Sequence, residues 1–158
     1  VAGRLEINTA RVLPVARQLG IADKVEFLDH MPQQDLYRLL CGARFAILPC
    51  SRSGRWWCLP AKVADYIALR KPVIALAPDP SEARTRLNAA GLGVFLDGDR
   101  EACAQKLTDL LLGRLPMPAP NHAECDRYTA TRQVREFVDL FEALLSPHCD
   151  LKGASPLE

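Results

Sequence analysis

Apolar residues recur along this chain in two alternating rhythms, one with the period of a helix and one of short continuous runs. In "NTARVLPVARQLG" (8–20) the apolar positions Val12, Val15, Ala16 and Leu19 predict a helix stopped by Gly20. Pro14 places the start of its regular part nearby, because proline fits a first turn and disrupts an interior one. "KVEFLDH" (24–30) reads as a short strand, and "PQQDLYRLLCG" (32–42) as a helix with Leu36, Leu39 and Leu40 on one face. "RFAILPC" (44–50) and "KPVIALA" (71–77) are near-continuous apolar runs, the pattern of strands buried on both faces. Between them "LPAKVADYIALR" (59–70) resumes the helical period through Val63, Tyr66 and Ile67. A helix at 80–91, a strand at 93–97 and a helix at 100–114 continue the beat. "LPMPAPN" (115–121) carries three prolines and reads as a linker, and "ATRQVREFVDLFEALLS" (130–146) is an amphipathic helix.

Short strands that alternate with helices need crossover connections, so the sheet is expected to be parallel and covered on both faces. The predicted class is α/β: a doubly wound, Rossmann-like sheet in three α/β/α layers, with right-handed crossovers. Ligands of such sheets bind outside the carboxyl ends of the strands. The loops that matter are therefore those after Leu28, Leu48, Leu76 and Leu96. The expected organisation is a domain over 1–114, the linker 115–121, a C-terminal helical segment 122–146 packing on the domain, and a disordered tail 147–158. The opening "VAGRLE" begins in mid-pattern, which leads us to expect part of a longer protein.

Composition narrows the classes. With 158 residues, 49% hydrophobic and 25% charged, the chain has the balance of one globular domain. A domain of this size buries roughly 70% of its unfolded surface, enough to fold without disulfides or metal. A formal net charge of +1 gives no broad electrostatic footprint for nucleic acid or anionic membrane. The six cysteines, at 41, 50, 58, 103, 125 and 149, form no C-x-x-C pair and have no paired histidines, which argues against zinc. Several fall within apolar patterns as small hydrophobes, consistent with a reducing cytosol. No stretch reaches the ~20 apolar residues of a membrane helix.

The longest of the rim loops is "CSRSGRWWC" (50–58), which leads into the helix marked by Pro60. A helix start presents unpaired N–H groups and partial positive charge, which favour an anion. Ser51, Ser53 and Gly54 give hydroxyls and backbone freedom, Arg52 and Arg55 offer guanidinium forks, and Trp56 or Trp57 an apolar plate for a ring. Lys62 and Asp65, three apart, share one helix face and lean back toward that loop. A carboxylate there can accept two vicinal ribose hydroxyls while the cation and the helix end take a phosphate. Each feature has a plainer reading: a Lys–Asp surface pair of small value, a tryptophan lid or domain interface, two solvated arginines. Their conjunction at one rim of this fold favours a nucleotide-sugar site. His30, at the end of the strand 24–28, is the candidate for a catalytic proton role, against the commoner structural or ligand-orienting use of a lone histidine.

"LPAKVADYIALRKPVIAL", with "ILPC" before it and "GLGVFLD" after it, resembles the C-terminal half of a GT-B glycosyltransferase. More narrowly it is similar to the large retaining family of group 1, or family 4-like, transferases that includes sucrose, glycogen and polysaccharide-building enzymes. Pro60, Lys62, Asp65, Tyr66, Ala68, Lys71, Pro72, Val73, Ile74 and Ala75 fit the family pattern in register, and the likeness runs from about residue 20 to 113. The resemblance implies the donor-binding half of a two-domain enzyme that moves a hexose to a saccharide or lipid-linked acceptor with retention. It implies no metal and no other cofactor, a nucleoside diphosphate sugar as substrate, and no nucleic-acid partner. An N-terminal acceptor domain of the same protein would complete the cleft and supply any peripheral membrane contact, so this half alone would be inactive. By family role Asp65 stands at the ribose, Lys62 near the diphosphate, and Ser51 to Cys58 face the transferred sugar. The chain departs from the pattern at Asp65, where glutamate is usual and aspartate reaches about 1.5 Å less. Trp57 stands where a second glutamate is common, "LDHM" replaces a glycine, and Arg70 replaces another. Two other classes fit the same architecture: a non-catalytic doubly wound nucleotide-binding or regulatory module, and a sugar-nucleotide epimerase.

Overall fold

The computed structural model describes residues 5–50 and 59–145, with the backbone alone over 5–9. The chain divides into two compact units between Ala43 and Arg44. In the first, helix α1 (Leu5–Gln18) is followed by a 3₁₀ turn (Ala22–Lys24) and helix α2 (Gln33–Gly42). Pro14 lies inside α1 rather than at its start, so the helix runs past a residue that cannot donate to the preceding turn. The strand expected over 24–30 is reduced to a single bridge at Leu28. A strand exists through its ladder, and apolar content alone does not supply the neighbour it needs.

The second unit carries the sheet. Strands β1 (Ala46–Pro49), β2 (Val73–Leu76) and β3 (Gly93–Phe95) lie side by side in chain order, all parallel. The register sets Ala46 against Val73 and Val73 against Gly93. Helix α3 (Ala61–Ala68) crosses from β1 to β2, and α4 (Glu82–Ala89) from β2 to β3. Both crossovers fall on one face, where α3 packs against α4. Val63 and Ile67, one turn apart on α3, and Ala83 and Leu87 on α4 are buried there with Leu48, Val73 and Ala75. Burial of each large aliphatic side chain stabilises the fold by roughly 1.5–3 kcal/mol.

Alternation along the strands sends Ile74, Val94 and Leu96 to the opposite face. Helix α5 (Arg100–Leu111) closes over them with Leu110, flanked by Leu107, Cys103 and Leu115. Helix α5 thus packs on the face of β2 and β3 opposite α3 and α4. β1 differs from its predicted burial on both faces: Ala46 and Leu48 are buried, whereas Ile47 is 63% exposed. Among the described residues the α5 face is covered at β2 and β3 and left open at β1.

Polar side chains fix the helix starts. Ser81 accepts from the Arg84 amide at 3.3 Å and Asp99 from the Ala102 amide at 2.8 Å, each satisfying an N–H that the helix leaves unpaired. A five-residue helix, α6 (His122–Asp126), follows the linker; Asn121 caps it by accepting from the Glu124 amide at 3.3 Å. The Asn121 amide donates to the Ala90 carbonyl at 2.9 Å, and Cys125 is fully buried beside it. α6 also packs on α3, where the Arg70 guanidinium meets Asp126 at 2.5 Å. Arg70 itself takes φ 51, the left-handed conformation that glycine ordinarily supplies after a helix, so the ion pair offsets a local backbone cost. Helix α7 (Ala130–Leu145) forms where expected, and all its residues are exposed, including Phe137 and Phe141.

Gly91 has φ +68, and a Cβ there would sit 2.3 Å from the Ala119 carbonyl oxygen. Gly91→Ala is expected to lower stability by about 2 kcal/mol or more in urea denaturation, since both strain and a backbone clash oppose it. Gly42, with nothing within 4 Å of its added Cβ, is the control: Gly42→Ala should be neutral or mildly stabilising.

Candidate functional site

The carboxyl ends of β1, β2 and β3 open onto one cavity of about 540 Å³. It is lined by Cys50 from the end of β1, by Leu76 to Asp79 beyond β2, and by Leu96 and Asp97 beyond β3. This is the rim at which parallel sheets place their ligands. Of the residues predicted for the site, Lys62 and Asp65 fall on α3, the helix entered from the end of β1. Ser51, Arg52, Ser53, Gly54, Arg55 and Trp57 lie outside the described residues, as do Trp56 and Cys58.

Lys62 is exposed in the first turn of α3, and Val63, beside it, is fully buried. Its charge reaches Cys50. Burial pushes the Cys50 thiol above its ordinary range, and the Lys62 ammonium acts against that rise. A cation thus stands close to the carboxyl end of β1. Asp65 is half-buried one turn on, and Tyr66 beside it is pushed up by burial first and then by the Asp65 carboxylate. α3 begins at Pro60, whose carbonyl accepts from Val63 at 2.9 Å, without a side-chain cap. His30 belongs to the first unit, where it is exposed and its backbone N–H donates to Asp29 at 2.7 Å.

The structure adds a residue that periodicity does not point to. Arg84, in the first turn of α4, is only 13% exposed and pairs with two carboxylates from separate loops, Asp79 at 3.7 Å and Asp97. Its guanidinium carbon lies 4.3 Å from the centre of the Phe95 ring, a favourable cation–π arrangement. Its Nε is buried without a hydrogen-bond partner. Arg84 therefore joins the loop after β2 to the loop after β3 at the margin of the cavity. The signal in sequence is faint, because its two partners stand five residues before it and thirteen after it and only the crossover brings them together. Among the described residues no group of three or more His, Cys, Asp or Glu is gathered to hold a metal ion, and no helix is long and apolar enough to cross a membrane.

A parallel three-stranded sheet with crossover helices and a ligand-sized cavity at its carboxyl rim define an α/β domain of Rossmann-like architecture. The family model for glycosyl transferases group 1 matches residues 1–112, and the chain belongs to that family. No curated protein and no solved structure shows a significant match.

The closeness of Lys62 to Cys50 is open to a direct chemical measurement. Lys62→Met removes the charge that favours the thiolate, so alkylation of Cys50 by iodoacetamide at pH 8 should slow by about twofold or more. An unchanged rate, read by mass spectrometry of the Cys50 peptide, would separate Lys62 from the end of β1.

Proposed function

We infer that this chain is the donor-binding half of a retaining GT-B glycosyltransferase, its sheet being part of a doubly wound domain. The nucleoside diphosphate sugar lies across the rim: Asp65 accepts the ribose hydroxyls, and Lys62 with the first N–H groups of α3 faces the diphosphate. The loop from Ser51 to Cys58, with Arg52, Arg55 and Trp57, faces the transferred hexose. An acceptor domain elsewhere in the protein closes the cleft and brings the saccharide or lipid-linked acceptor. The observation that carries this reading is the family match together with Lys62 and Asp65 on the helix that leaves the carboxyl end of β1.

The chemistry follows from charge. When the bond from the anomeric carbon to the leaving phosphate oxygen breaks, negative charge grows on the diphosphate. A lysine ammonium and helix N–H groups already aimed at that position stabilise it without reorganisation. The acceptor hydroxyl forms the new bond to the same carbon on the same face, and its proton leaves with the departing diphosphate. No metal is required in this scheme, because the protein cation and the helix dipole supply the positive charge.

The test is a titration of the chain with UDP, GDP and ADP by calorimetry. At least one should bind, with affinity lost in Asp65→Ala and reduced roughly tenfold in Lys62→Ala, the size of one charge-assisted contact. Absence of binding by all three would favour a non-catalytic module of the same fold.

A further inference from the structure

The outer edge of β3 carries backbone polar groups that the chain leaves unpaired. In the parallel register β2 bonds to Leu92, Val94 and Leu96: the Val73 amide donates to the Leu92 carbonyl and the Leu96 amide to the Ala75 carbonyl, each at 2.9 Å. Gly93 and Phe95 therefore direct their N–H and C=O groups away from β2. The half-buried Lys106 ammonium donates to the Phe95 carbonyl from that outer side, at 2.7 Å. The Gly93 N–H and C=O and the Phe95 N–H have no partner among the described residues. Phe95 is only 8% exposed, and unpaired backbone donors at so covered a position are rare. These groups open into a cavity of about 400 Å³ between β3 and the proline-rich stretch 115–118. Its walls continue the two apolar layers of the sheet. On the α4 side stand Leu87 and the Phe95 ring, which folds back so closely that a Cβ on Gly93 would lie 2.3 Å from it. On the α5 side stand Val94 and Leu110.

We propose that this slot binds a small, flat, uncharged ring with a lactam edge, whose N–H donates to the Gly93 carbonyl and whose C=O accepts from the Phe95 N–H. Along the edge of β3 these two groups follow each other as an acceptor and then a donor. The cis amide of a lactam presents the matching donor and acceptor on one side. Lys106 stands at the next position along the edge and has two further hydrogens to give, which favours a carbonyl oxygen there. Other chemistries fit less well. A carboxylate would set an oxygen against the Gly93 carbonyl, and a cation would meet the Lys106 ammonium. A trans peptide carries its N–H and C=O on opposite sides and can use only one of the two groups. The ring itself lies in the plane of the sheet, between the two apolar layers, where a further strand would otherwise pair. The cavity shares no lining residue with the one at the carboxyl rim, so the proposal does not depend on the donor-site reading.

The experiment is an NMR titration of the chain with isocarbostyril, a bicyclic lactam, and separately with its N-methyl derivative and with N-methylacetamide, an open-chain trans amide. Isocarbostyril should shift the Gly93 and Phe95 amides saturably and slow hydrogen exchange at the Phe95 N–H. The N-methyl derivative keeps the ring and loses the donor, so it should bind about tenfold more weakly. N-methylacetamide at the same concentration should leave both amides in place. Lys106→Met keeps an apolar stem and removes the ammonium, and should weaken isocarbostyril by about threefold. The comparison of the three ligands uses the unaltered chain, so it stands whether or not that variant folds. Gly93 and Phe95 amides unmoved by isocarbostyril, an N-methyl derivative that binds as tightly as its parent, or an equal response to N-methylacetamide would each overturn the proposal.

Discussion

The ladder from Ala46–Pro49 through Val73–Leu76 to Gly93–Phe95 runs in a single direction, and most of the described architecture follows from that direction. Parallel neighbours cannot be joined by a tight turn, so each pair requires a crossover, and handedness sends α3 and α4 to the same face. The same geometry gathers every strand's carboxyl end on one rim. Cys50, Asp79 and Asp97 are distant in sequence and line one cavity for this reason alone. The register adds the second constraint: with Ile74 beside Val94 on one face and Val73 and Ala75 on the other, β2 and β3 need apolar partners on both sides. α5 supplies one set through Leu110, and α3 and α4 supply the other.

Charge at the rim is distributed along the strand order. Lys62, whose charge acts on Cys50 at the end of β1, is carried by a helix start, where the backbone adds to its field. Toward β3 two acids stand out in solvent over an arginine that is itself mostly covered. Such an arginine is costly to bury unless its charge is met, and the two aspartates and the Phe95 ring meet it. The arrangement fixes two loops by one side chain, which keeps the cavity walls in place without extended backbone pairing between them.

Legibility in the sequence varied with the range of the interactions involved. Caps are local, and "PSEAR" and "DGDREA" announce the starts of α4 and α5 by residues three apart. The same signal, Asn121 with Glu124 three residues on, marks α6, yet the surrounding prolines led the segment before it to be read only as a linker. The apolar run at 24–30 has strand composition and makes only one bridge, at Leu28, because pairing depends on residues elsewhere. Arg70, noted as a departure from a usual glycine, acquires a physical account from Asp126, fifty-six positions away. Lys62 was legible as a candidate because family pattern and helix position coincide there, and it stands in the first turn of α3. Arg84 was not, since neither periodicity nor spacing reveals an arginine held by two distant aspartates.

The proline-rich stretch after α5 has a consequence for the molecule in a crowded solution. β3 is one of the two outer strands of the described sheet, and Leu115, Pro116, Met117 and Pro118 face it across a cavity of about 400 Å³ that Gly93, Val94 and Phe95 also line. An outer strand offers unpaired donors and acceptors to any extended segment that approaches. Prolines have no N–H to give, so Pro116 and Pro118 interrupt any ladder this covering could continue. Together with a strand only three residues long, it limits strand-by-strand association with neighbouring molecules at this edge of the sheet.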